Sequence, residues 1–184
     1  DQLIHSRWFH ADPNKGLDYD PDTVKKMVDQ GQWVDPTLGH HLLGQEAKAR
    51  GEVGPAPPHW AVSSKVVPEA EHVETLMNMH DAGIRFTTGL DMGMAYGTHD
   101  RSAASAWAFV ETLGWSNWKA VHAATAGTAE ALGLAEKVGS LRAGFVADLA
   151  AFVGDPATSI RDMDRAETVV QSGRVLKLGG TVLV

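Results

Sequence analysis

The 184-residue sequence contains no cysteine. That excludes a disulfide framework and a thiolate metal site, so any metal must be held by His, Asp or Glu. No run of about 18 apolar residues occurs, which argues against a membrane span. Basic residues do not gather into a patch. With 16 Lys and Arg against 23 Asp and Glu, the net charge is −7. A surface that grips a phosphate backbone needs the opposite balance, so nucleic acid is not an expected partner. The opening residues, DQLIHSRWF, carry no initiator Met, no basic leader and no long apolar core. They do not read as a signal peptide but as the interior of a domain. A fragment or processed chain is expected, with the cytoplasm as its compartment.

What is present is a soluble globular composition, 43% hydrophobic and 21% charged, with nine histidines. Gln2 to Ile4 is a short apolar stretch ending at His5. Asp20-Pro21 is a helix start, an N-cap followed by Pro at the first helical position. Val24, Met27 and Val28 then give the helical stripe, predicting a helix to about Gln30, stopped by Gly31. QWVDPTL is a short strand ending near Pro36. Residues 39 to 67 read as a long loop, or a loop plus a helix, with a turn-rich Pro/Gly segment near residue 55. A second helix is expected from Pro68 to Gly83, with Val73, Leu76, Met77 and His80 on one side. IRFTTGL is a strand of β-formers, and a third helix spans about Ser102 to Leu113. Strands and helices alternate, which argues for parallel βα units. Their short apolar strands fit a sheet covered on both faces.

Beyond Trp115 the Ala-rich stretch predicts two short helices broken near Gly127. A turn at Ala143-Gly144, a strand over Ala147–Val153 and a hairpin around Ser172-Gly173 follow. The expected division is residues 1–137 for the βα part and its helices, and 138–184 for a small β part.

Two of the three strands end in groups able to bind metal or move protons: His5 after the first and Asp91 after the third. Parallel strands in a barrel bring their C-terminal ends to one face, so 86 positions of separation do not keep the two apart. An imidazole and a carboxylate suit a divalent ion such as Zn²⁺. Asp91 could also take a proton from a metal-bound water. Gly89 and Gly93 give the backbone room there. The residues alone leave a second reading open, with Asp91 capping the next helix and His5 a structural hydrogen bonder. His40 and His41 are placed in a loop after the second strand, His99 in the loop after Asp91, and Arg7 and Trp8 just after His5. Each is a candidate substrate contact. His80 and His122 are expected to be structural, Trp107, Trp115 and Trp118 to pack in the core, and Asp148 to brace a turn.

MHDAGIRFTTGLDMG resembles the helix-to-last-strand segment of the amidohydrolase superfamily, where an apolar strand leads into G-T-D-A/S-G. HAATAGTAEALGLAEKVGSLRAGFVADLAAFVGDP is similar to the segment after the barrel, with its A-L-G-L, G-S/T-I/L and A-D-L elements. VVQSGRVL resembles the hairpin that ends the small β-domain. DQLIHSRWF resembles the D-x-I-E-H segment of the sixth strand. The subgroup most resembled contains imidazolonepropionases and prolidase-like enzymes. The resemblance implies strands six to eight of a (β/α)8 barrel plus the C-terminal part of a small β-sandwich. It implies a hydrolase acting on an amide or related C–N bond, non-peptide or dipeptide-like, in a small-molecule substrate. Its cofactor would be a divalent metal, zinc first, with His5 a metal ligand and Asp91 both ligand and proton shuttle. The family's H-x-H pair, its fourth-strand Lys or Glu and its fifth-strand His do not occur, and Leu90 stands where Thr is usual. The lone chain is therefore expected to be inactive. Either the missing N-terminal half or a second copy of the chain would complete it. The contrasting expectation is a non-catalytic truncated barrel module that works by association.

Overall fold

The computed structural model describes residues 1–12, 14–54, 67–93 and 95–183. The Pro/Gly-rich loop expected near residue 55 falls largely on residues 55–66, outside the described residues.

Three short strands, β1 (Gln2–Ile4), β2 (Trp33–Asp35) and β3 (Arg85–Phe86), form a parallel sheet in that order. Gln2 pairs with Trp33 and Ile4 with Asp35, while Val34 pairs with Phe86. The strand tips therefore lie side by side. Between β1 and β2 runs α1 (Pro21–Asp29), and Asp20 caps it as the sequence suggests, its carboxylate accepting from the Asp22 amide at 3.1 Å. Between β2 and β3 lie α2 (Leu38–Ala49) and α3 (Glu69–Asp81). Next come a 3₁₀ turn at His99–Arg101 and α4 (Ala104–Glu111).

α2 is the helix of the loop-plus-helix expectation for residues 39 to 67, and it corrects the loop placement of His40 and His41, which are helical. Two glycines and two histidines made LGHHLLGQEAKA look irregular. Leu38, Leu42, Leu43 and Ala47 are its buried face. Gly39 is a contact point rather than a hinge, since a Cβ there would stand 2.7 Å from the Ser105 amide nitrogen and 2.8 Å from Leu90 Cδ1. Only glycine lets α2 approach α4 this closely. Leu90 fills that crossing, 4% exposed.

Trp107, Phe109, Leu76, Met79, Ile84, Val24 and Val34 are fully buried. Trp115 stacks on Phe86 and meets Phe109 edge-on, with centroids 4.7 Å apart, a favourable aromatic geometry. His80 stands 4.8 Å from Trp115 and bonds through Nδ1 to the Ile84 carbonyl oxygen, a structural histidine as expected. Trp118 departs from expectation. It is 69% exposed, because it lies on the outer side of α5 (Asn117–His122), whose buried residue is Ala120. The break expected near Gly127 is a π-helical turn, Ala123–Gly127, running into α6 (Thr128–Ala131).

The last part is an antiparallel sheet of β4 (Leu149–Phe152), β5 (Ala166–Gln171), β6 (Arg174–Leu178) and β7 (Thr181–Val182), in that order. Asp148 braces the β5–β6 turn as expected, accepting from the Ser172 amide at 2.7 Å. Arg161, in a 3₁₀ turn before β5, ties this part to the helices. It bonds both oxygens of Glu111, at 2.5 and 2.6 Å, reaches Glu46 at 2.6 Å and lies over the Trp107 ring.

Candidate active site

The tips of all three strands carry polar side chains, and the backbone there is unusual. His5 (φ 61°), Thr37 (φ 48°) and Asp91 (φ 54°) each adopt the left-handed conformation immediately or shortly after their strand. Histidine and aspartate visit this region at moderate cost, whereas a β-branched threonine there is an outlier. Such conformations cost of order 1–3 kcal/mol each and gather at functional sites.

They bring the side chains together. His5 Nε2 lies 3.8 Å from Asp91 Oδ2, with both side chains about half exposed. The other ring nitrogen, Nδ1, is 2.9 Å from Thr37 Oγ1. Asp35, at the end of β2, is 7% exposed. One oxygen, Oδ1, accepts from the Thr37 amide at 2.9 Å and from the Gly89 amide at 3.1 Å. Burial raises the Asp35 carboxyl above its ordinary value. The two amide bonds and nearby His5 oppose that rise, and Asp91 adds to it.

Gly89 is explained by the same carboxylate, because a Cβ would stand 1.9 Å from Asp35 Oδ2. Gly93, at φ 102°, turns the chain after Asp91 and donates to the Gly97 carbonyl oxygen at 2.9 Å. Asp91 therefore stands exposed five residues beyond the end of β3, and the glycine on each side is required for a separate reason.

Among the described residues no hydrogen bond or ion pair joins His40, His41, His99 or Arg7 to His5 or Asp91. His41 pairs with Glu69 at 3.1 Å. His40 sits under the loop after Asp91: a Cβ on Gly97 would meet His40 Cδ2 at 3.3 Å and the Asp91 carbonyl oxygen at 3.6 Å. His99 is exposed in its 3₁₀ turn. Arg7 is half-buried, and burial lowers its pKa. It approaches His72, whose pKa falls to about 4 through burial first and the cations of Arg7 and His41 second. A cleft of about 210 Å³ opens between the end of α2 and the loop before α4, lined by Arg50, Tyr96, Asp100 and Arg101 among others but by neither His5 nor Asp91.

Asp35 and Thr37 were not among the candidates drawn from the sequence. The signal was available: W-V-D-P-T places an aspartate at the end of the second strand, as His5 and Asp91 follow the first and third.

Among the described residues no group of three or more His, Asp or Glu is arranged to hold a metal ion. Two donors nevertheless face one another. Zinc bonds to nitrogen and oxygen of about 2.1 Å set neighbouring tetrahedral ligands about 3.4 Å apart. The 3.8 Å spacing is close to that value and too long for a direct hydrogen bond. The spacing of His5 Nε2 and Asp91 Oδ2 is compatible with both reaching one ion.

The structure is an α/β arrangement in which the two outer strands of a parallel sheet bring a histidine and an aspartate to one side. The chain belongs to the Amidohydrolase family, which it matches over residues 5–176. Among solved structures it is similar to a Xaa-Pro dipeptidase with methionine bound in its active site, at 22% identity and a TM-score of 0.71, over 96% of this chain and 40% of that one. It is similar also to a putative prolidase from Bifidobacterium longum (21%, TM-score 0.73, 100% and 44%) and to the A. niger ochratoxinase (21%, 0.69, 97% and 37%). These likenesses show the fold, a fragment of a barrel. The chain spans about two fifths of the length of these relatives. No curated protein matches it. No helix among the described residues is long and apolar enough to cross a membrane.

Proposed function

We propose that the chain is the C-terminal portion of a metal-dependent amidohydrolase that cleaves an amide or related C–N bond in a small, dipeptide-like substrate. In this reading β1, β2 and β3 are the sixth, seventh and eighth barrel strands, and β4–β7 belong to the small β-domain. The observation that carries it is the approach of His5 Nε2 to Asp91 Oδ2 beyond the ends of β1 and β3, the strands on either side of β2, in a chain of this family.

His5 would hold a divalent ion, zinc first, through Nε2, and Asp91 would hold it through one carboxylate oxygen. A bound ion supplies the acidity that makes water a nucleophile near neutral pH. Asp91 accepts the proton of the attacking water and returns it to the leaving nitrogen, as a general base and then a general acid. Its half-exposed position leaves it open to water and substrate. The remaining ligands come from sequence beyond these 184 residues, so this chain by itself is inactive and binds metal weakly.

The test is chemical denaturation of the chain with and without millimolar zinc chloride. A ligand that binds only the folded state raises the unfolding midpoint. The native chain is expected to gain stability, and His5→Ala and Asp91→Asn to lose that gain. In the longer natural protein, Asp91→Asn is expected to cut turnover of Xaa-Pro dipeptides by about 10²–10⁴-fold. A native chain indifferent to zinc, or amide turnover by the lone chain, would refute this reading.

A further inference from the structure

Two residues that would touch neither metal nor substrate connect the strand tips. We infer that Asp35 and Thr37 are positioning residues that fix the His5 ring and set its distance from Asp91. The inference deepens the proposed function but rests on contacts that exist without metal.

Asp35 Oδ1 accepts from two amides on different strand ends, Thr37 on the β2 side and Gly89 on the β3 side. Asp91 lies two residues beyond Gly89, so the carboxylate joins the tip of β2 to the segment that delivers Asp91. The same bond to the Thr37 amide holds Thr37 in its left-handed conformation, φ 48° and ψ 36°. That conformation is costly for a β-branched residue, and it places Oγ1 2.9 Å from His5 Nδ1. The His5 backbone is anchored as well, its amide donating to the Asp35 carbonyl oxygen at 3.0 Å. His5 is thus held at its amide and at one ring nitrogen, and Nε2 faces Asp91. A histidine ligand works best when its second nitrogen is held this way, and loss of the holding partner costs about 10–100-fold in metal affinity.

Because one oxygen takes both amide bonds, the charge of Asp35 is dispensable and its geometry is not. Asp35→Asn can present the same oxygen, whereas Asp35→Ala cannot. Likewise Thr37→Ser keeps the hydroxyl, whereas Thr37→Val keeps the shape and loses it.

The experiment is NMR of the metal-free chain, reading the three-bond couplings that report the His5 χ1 angle. The native chain, Asp35→Asn and Thr37→Ser are expected to show a single rotamer. Thr37→Val and Asp35→Ala are expected to show averaged couplings. Averaging in the native chain overturns the inference, and so does a single rotamer in Thr37→Val. If Thr37→Val does not fold, Thr37→Ala takes its place, and the native couplings decide by themselves whether the ring is held. Zinc chloride titrated into the same samples judges the other reading separately. A native chain with one His5 rotamer whose His5 and Asp91 resonances ignore zinc keeps the positioning roles and discards the metal site. Where zinc binds, Thr37→Val is expected to need at least about tenfold more of it.

Discussion

Replacing Gly89 by alanine tests the strand-tip arrangement without reference to catalysis. The backbone there tolerates any residue, since Gly89 is not among the positive-φ glycines. The obstacle is side-chain space. The three atoms nearest an added Cβ are Oδ2, Cγ and Oδ1 of Asp35, at 1.9, 2.6 and 2.8 Å. A methyl group there expels the carboxylate, which strands the Thr37 and Gly89 amides without their acceptor. Hydrogen bonds to a charged group contribute about 1.5–3 kcal/mol each. Losing both at the lower figure makes Gly89→Ala destabilising by about 3 kcal/mol, which is large for one methyl group. A double-mutant cycle isolates the cause. Asp35→Ala loses the same two bonds and removes the obstacle. Adding Gly89→Ala to it is therefore expected to cost less than about 1 kcal/mol, or to gain a few tenths by restricting the unfolded chain. Urea denaturation of the four proteins measures it. If the two losses add, Gly89 is not there to admit Asp35, and the account of the tip is wrong.

Other perturbations have equally definite outcomes. Arg161→Met removes a bidentate bond to Glu111, a bond to Glu46 and a cation–π contact with Trp107. A loss of about 1–2 kcal/mol in urea is expected, shrinking in 0.5 M salt because the guanidinium is partly exposed. An equal loss at both salt concentrations would put the Arg161 contribution in packing rather than charge. His72 has a folded pKa of about 4, below its unfolded 6.5, so the folded chain binds fewer protons. Stability is intact above pH 6.5 and falls as the pH drops from 6.5 towards 4. After screening at a half-buried residue this amounts to about 2 kcal/mol. His72→Leu is expected to flatten that slope, and a variant with the native slope would assign the acid sensitivity to other groups.

Most of the framework follows from local chemistry. The Asp20-Pro21 start of α1 and the Ser172-Gly173 turn act within a few residues of themselves, so their pattern is readable, whereas only Arg85–Phe86 of the strand expected over IRFTTGL is strand. Alternation of strand and helix led to a parallel sheet, and a parallel sheet led to His5 and Asp91 on one face. Where the reading went astray, the deciding partner was distant in sequence. The glycines of α2 looked like loop because Ser105 and Leu90, the atoms Gly39 must admit, lie more than 50 positions away. Trp118 looked like core because spacing shows that a residue is on a helix but not which neighbours cover it.

The strand tips show the same limit at its sharpest. An aspartate before Pro-Thr reads as a turn, and nothing local tells that its oxygen also serves Gly89, just beyond the next strand in chain order. Nor does local preference favour a left-handed threonine. Propensity argues against Thr37 at φ 48°, and the conformation persists because Asp35 holds its amide while Thr37 itself meets His5. A residue whose local preference is overruled by the carboxylate at its own strand end and by a contact from another strand is where sequence reasoning is expected to fail. It is also where stored strain marks function. The two facts have one origin. Bringing His5 to Asp91 requires side chains to leave the ends of parallel strands sideways, and an extended strand end does not aim them so. The left-handed residues turn the chain at each tip, and Asp35 is the group that connects those turns.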